Sequence, residues 1–111
     1  MKTLIGYKVV KKKSLISSTI YIHRIKYRIN KWVKPLKNCG PLCVFKTKED
    51  ALNFVGTACL DFYSIYECLY EPSEEKGVYV EGWKEFKKTL RVLPKGTALA
   101  NRVKLIKKEK F

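Results

Sequence analysis

Only one stretch of this 111-residue chain carries a helical period; the other apolar residues come mostly in short β-branched or aromatic runs. Thr47-Lys48-Glu49-Asp50 reads as a helix start, with Thr47 as N-cap and an acidic residue three positions on. Glu49 and Asp50 fall where the helix dipole favours negative charge. Ala51, Leu52, Phe54, Val55 and Ala58 follow at helical spacing, which predicts a helix from about Lys48 to Cys59. A lone helix set among strands restricts the fold to a β-rich α+β single domain over residues 1–111, with a mostly antiparallel sheet.

The strand-like runs are read in order. Leu4–Val10 is apolar and β-branched, and Lys11-Lys12-Lys13-Ser14 follows as a solvated tip. From Ser17 the apolar residues alternate: Ile20 and Ile22 are even, then Ile25, Tyr27 and Ile29 are odd. Strand side chains change face with period two, so this change of parity predicts a long strand with a β-bulge near His23-Arg24. Asn30-Lys31 reads as a turn, Trp32-Val33 as a short extended piece, and Pro35 to Pro41 as a loop. Leu42–Phe45 is a short buried strand. Asp61–Tyr70 is a longer one with Tyr66, Cys68 and Tyr70 on one face, ended by Glu71-Pro72-Ser73. Val78–Val80 is a brief pairing segment, and Gly82–Lys88 is open between helix and loop. Leu93-Pro94-Lys95-Gly96-Thr97 is a turn, Ala98–Asn101 one turn of helix, Val103–Ile106 a last strand, and Lys107–Phe111 a loose basic tail.

Charge gives the strongest hint of function. The net charge is +14, from 24 basic and 10 acidic residues. The first 48 residues carry 13 Lys or Arg and no acid. Nine acids fall between Glu49 and Glu85, and residues 86–111 return to nine basic side chains with one acid, Glu109. Neutralising phosphates with Lys and Arg gives affinity through counterion release, so a polyanion such as RNA or DNA is the expected partner. The residues expected to carry it are Lys11, Lys12, Lys13, Arg24, Lys26, Arg28, Lys31, Trp32, Arg102 and Lys104. Aromatic rings set among basic side chains can stack bases while tracking a backbone. The same side chains also suit an ordinary solvated face, since net charge speaks to non-specific binding. A second expectation is an inhibitor or adaptor that binds an acidic surface of a host protein. The acidic middle block either balances the basic segments within one molecule or faces a second copy; surface ion pairs alone do not make a dimer.

Other chemistries find less support. Cys39-x3-Cys43 has tolerable zinc spacing, with Cys59, Cys68 or His23 to complete a set, but Cys43 and Cys68 sit in apolar strand-like runs where free thiols are common. With His23 the sole histidine, a Cys–His pair has no evident partner, and Glu67 and Glu71 read as strand carboxylates. No glycine-rich phosphate loop occurs, and no catalytic residue, metal or cofactor is expected. No apolar run approaches a membrane span and none resembles a signal peptide, which leads us to expect a cytoplasmic protein with reduced thiols.

Gly6-Tyr7-Lys8-Val9-Val10, Gly40–Phe45 running into Glu49-Asp50-Ala51, Ile65–Cys68 with Glu71-Pro72-Ser73, and Leu93–Thr97 with Val103–Ile106 together span most of the chain. In this arrangement the sequence resembles small proteins of prokaryotic viruses, mobile elements and their hosts, in which a strand ending in Phe leads into a capped helix. That resemblance implies a small accessory protein in the host cytoplasm and no particular activity. The strand–helix step followed by a glutamate-bearing strand is also similar to compact ADP-ribosyltransferase-like folds, which would imply nucleotide handling. Here His23-Arg24 is the only counterpart of a nucleotide-binding pair, and no paired catalytic glutamates follow.

Overall fold

The computed structural model describes residues 2–12, 15, 26–35, 40–56, 61–75, 77–78, 88–89 and 93–110. Strands β1 (Leu4–Lys11), β2 (Trp32–Val33) and β3 (Leu42–Phe45) precede helix α1 (Lys48–Val55). Strands β4 (Tyr63–Pro72), β5 (Gly77–Val78), β6 (Lys88–Thr89) and β7 (Thr97–Lys108) follow it. The main sheet runs β2-β7-β3-β1-β4, and β4 also pairs with β7. That last pairing closes β7, β3, β1 and β4 into a four-stranded antiparallel barrel, with β2 added at its side. Closure satisfies the backbone groups that an open edge would expose. β5 and β6 form a separate two-stranded ribbon. The β-rich α+β class expected from the sequence is the one observed.

The barrel interior and the layer outside it are both apolar. Val10, Leu42, Val44, Tyr66, Cys68, Tyr70, Ala98, Ala100, Val103 and Leu105 point inward, with Tyr27 among them. Outside, Ala51 and Val55 of α1 cover Val9, Phe45 and Ile65. From Lys8 to Val10, β1 is thus buried on both faces, and it shows no polar–apolar alternation that would tell inside from outside. Gly6 of β1 lies under the Tyr70 ring of β4: a Cβ there would meet that ring at 2.8 Å.

Thr47 caps α1 as expected, its hydroxyl oxygen accepting from the Asp50 N–H at 3.0 Å. The helix ends at Val55, four residues short of the expected Cys59, because Gly56 turns the chain out at φ 75°. β4 buries Tyr66, Cys68 and Tyr70 as their shared parity requires, and it continues through Glu71 and Pro72. The expected bulge at His23-Arg24 lies outside the described residues. Of that expected long strand, residues 26–30 show isolated bridges and a turn at Asn30 (φ 62°). Tyr27 is buried, whereas Ile29, expected to face with it, is 46% exposed.

β7 departs most from expectation. Residues 98–101, read as a turn of helix, are strand, and Lys107 and Lys108, read as tail, are its last two residues. Ala98 and Ala100 face the core at even positions, Val103 and Leu105 at odd ones. One extra residue at Asn101-Arg102 makes this switch, matched by a register shift between Glu71 and Pro72 of β4. A second shift falls between Glu67 and Cys68, which face Lys107 and Leu105 of β7.

Candidate functional site

The bulge in β7 builds the surface where the two basic blocks meet. Without it, Arg102 and Lys104 would share the parity of Ala98 and Ala100 and point into the barrel. With it, both turn outward on the side where β2 pairs with β7, Trp32 opposite Lys104 and Val33 opposite Val103. The half-buried Trp32 ring takes the Arg102 guanidinium at 4.1 Å from its centroid and the Lys104 ammonium at 5.7 Å. Such cation–π contacts hold basic side chains in place at a modest gain, about 0.5–1 kcal/mol each at exposed sites. On its other flank Arg102 donates through Nε to Glu71 Oε2 at 2.9 Å. Glu71 Oε1 accepts from Asn101 Nδ2 at 3.3 Å.

Of the residues expected to bind a polyanion, Trp32, Arg102 and Lys104 are in contact. Lys26, Arg28 and Lys31 are exposed on the segment that leads into β2, on either side of the buried Tyr27. Lys11 and Lys12 stand apart from this cluster at the end of β1, where Lys12 shares a shallow cleft with Asp61, Lys108, Glu109 and Lys110. Lys13 and Arg24 lie outside the described residues.

The buried interior holds a cation that sequence reasoning did not single out. Lys8 lies on the inward parity of β1, level with Tyr66, and is 1% exposed. Its ammonium donates to the Cys43 carbonyl of β3 at 2.6 Å and lies 5.2 Å from the centroid of the Tyr27 ring. Burial lowers its pKa to about 8. The same burial pushes the Cys68 thiol up to about 12 and raises Cys43 and Tyr27, so these acids stay protonated. The Tyr27 hydroxyl is buried with no hydrogen-bond partner among the described residues.

Lys8 therefore adds a contact to Tyr27, on a segment that the Asn30 N–H to Leu105 carbonyl hydrogen bond already joins to β7. A strand lysine with apolar residues on both sides was its sequence signal, but nothing in Gly6–Val10 says which face is the barrel interior.

Cys43 and Cys68 are free buried thiols on separate strands, and no group of three potential metal ligands forms among the described residues. Cys39, Cys59 and His23 lie outside them. Glu67 stands opposite Lys107 in the β4–β7 pairing and lines neither the cleft beside Lys12 nor the one beside Glu71. Among the described residues no helix is long and apolar enough to cross a membrane. Comparison with protein-family models, curated proteins and solved structures finds no match.

Proposed function

We propose that this chain binds nucleic acid through the face formed by Trp32, Arg102 and Lys104, extended by Lys26, Arg28 and Lys31. The observation that carries the reading is the bulge at Asn101-Arg102. It turns two basic side chains out of the barrel and sets them on a tryptophan from the other basic block. Two cations set on one aromatic ring, with three more exposed on the segment that leads into β2, suit contact with a few successive phosphates. Lys26, Arg28 and Lys31 supply charge at the rim, and the Trp32 ring orients the central pair.

The test is binding of a labelled RNA and a DNA duplex at increasing salt. With three to five phosphates neutralised, affinity should fall roughly 100-fold between about 50 and 200 mM salt. Arg102→Ala with Lys104→Ala should weaken binding to every sequence alike. No association at the lowest salt refutes the proposal. So does a partner retained from cell extract after nuclease treatment in place of nucleic acid, which is the outcome a protein-binding adaptor would give.

A further inference from the structure

We infer that Glu71 is a built-in competitor of phosphate: a carboxylate that holds Arg102 against Trp32 until a phosphodiester takes its place. The inference rests on the nucleic-acid reading above. Glu71 of β4 is paired in register with Arg102 of β7, and its two oxygens accept from the two bulge residues, Arg102 and Asn101. The guanidinium is thus set between a carboxylate and the Trp32 ring, with both partners supplied by strands of the barrel wall or its flank. Glu71 takes the guanidinium through Nε with one oxygen, and an anionic phosphodiester oxygen can accept from the same donor. Glu71 therefore keeps Arg102 in the pose that a backbone phosphate needs. The pair is partly exposed, the Arg102 side chain at 29% and that of Glu71 at 15%, so exchange for an incoming anion is easy.

The geometry also assigns the part of the ligand that is read. Trp32 carries two cations, so its ring works as a support for Arg102 and Lys104 rather than as a base-stacking platform. Contacts of this kind follow the sugar–phosphate backbone and carry no sequence information. Glu71 then sets affinity: every complex must first give up the Glu71–Arg102 pair.

Glu74 and Glu75 provide the control. They are exposed on the same cleft, beside Lys2, Ser73 and Asn101, and no contact joins either side chain to Arg102 among the interactions described. The experiment measures binding of a labelled RNA and a DNA duplex by the full chain as parent, Glu71→Gln, Glu74→Gln, Arg102→Ala and the Glu71→Gln/Arg102→Ala double variant. One additional released counterion at about 0.1 M salt corresponds to roughly eightfold in affinity.

Glu71→Gln is therefore expected to bind several-fold tighter, with a salt dependence steeper by about one ion. Glu74→Gln should stay near the parent, and the double variant should bind no tighter than Arg102→Ala. An equal gain from Glu74→Gln would reduce the effect to net charge and overturn the inference. So would a Glu71→Gln variant that binds no tighter, once Glu71→Ala has shown the same. Thermal melting follows each variant; loss of the fold in both Glu71 variants makes Glu71 structural and also overturns it. If the parent binds neither probe, the nucleic-acid reading itself fails, which is a different result.

Discussion

Replacing Lys8 by methionine is expected to stabilise the protein at pH 7. The ammonium is fully buried, and its pKa falls from 10.5 to about 8. At about 1.4 kcal/mol per pH step, the charged form is disfavoured in the barrel by about 3 kcal/mol relative to water. Methionine has a similar length and no charge, so it removes that penalty. It also removes the donor to the Cys43 carbonyl and the contact with the Tyr27 ring, which together take back about 1 to 1.5 kcal/mol. The net gain is about 2 kcal/mol, or roughly 8 °C in melting temperature for a domain of this size.

The pH dependence separates this account from a simple packing effect. Folding lowers the pKa of Lys8, so between about pH 8 and 10.5 the unfolded chain holds a proton that the folded chain has released. Stability of the parent therefore rises with pH across that window as far as Lys8 is concerned, and below it the penalty is present in full. Cys43, Cys68, Tyr27 and Tyr70 titrate in the opposite sense, since burial raises their pKa values and stability falls as pH climbs past their unfolded values. Tyr27 and Tyr70 cancel in the difference; Cys43 and Cys68, whose rise Lys8 partly offsets, rise further in the variant, which lowers its advantage at high pH in the same direction.

Urea unfolding of parent and Lys8→Met from pH 7 to 10.5 should show the variant ahead by about 2 kcal/mol at pH 7. Its advantage should vanish between about pH 9 and 10.5, once the neutral amine can stay in the barrel and keep its hydrogen bond. A variant less stable than the parent at pH 7, or a difference that does not change with pH, would refute the reasoning.

Three further substitutions or measurements probe the framework. Gly6→Ala should cost about 1–3 kcal/mol, because its Cβ would sit 2.8 Å from the Tyr70 ring and 3.0 Å from the Phe45 carbonyl oxygen; urea midpoints measure it. Thr47→Ala removes the cap on the Asp50 N–H and should cost about 1 kcal/mol by the same assay, with little change in unfolding slope. Cys68 should resist alkylation at pH 8 in the folded protein and label fully in denaturant, since it is buried and its thiol holds its proton up to about pH 12; peptide mass spectrometry reads this residue by residue.

The parts of the fold that were legible in the sequence are those fixed by neighbours in the chain. The Thr47 cap, the Leu42–Phe45 strand, the Leu93–Thr97 turn and the shared face of Tyr66, Cys68 and Tyr70 all follow from local chemistry. The closure of β4 onto β7 does not, because it joins residues more than 25 positions apart and leaves no local period. Lys8 was hidden for a related reason. Where β1 lies between the barrel interior and α1, at Lys8–Val10, it has no solvent face against which a charge would look out of place.

The bulge in β7 was within reach of the sequence. Ala98 and Ala100 are followed by Val103 and Leu105, the same parity switch that Ile20 and Ile22 make with Ile25 and Ile29. Reading Ala98–Asn101 as helix concealed it. Its effect ties stability to the binding face: one inserted residue fills the barrel with Val103 and Leu105 and, by the same rotation, carries Arg102 and Lys104 out to Trp32. Lys8 does the reverse, placing a charge inside, where it grips the ring of Tyr27 between Lys26 and Arg28. The segment that brings Trp32 to β7 is held by the Asn30 N–H donating to the Leu105 carbonyl at 2.8 Å, and the buried ammonium adds a contact to it at a cost to the barrel. Lys8→Met consequently divides the two roles of the core: a more stable barrel with weaker nucleic-acid binding would mean that the buried ammonium serves the binding face.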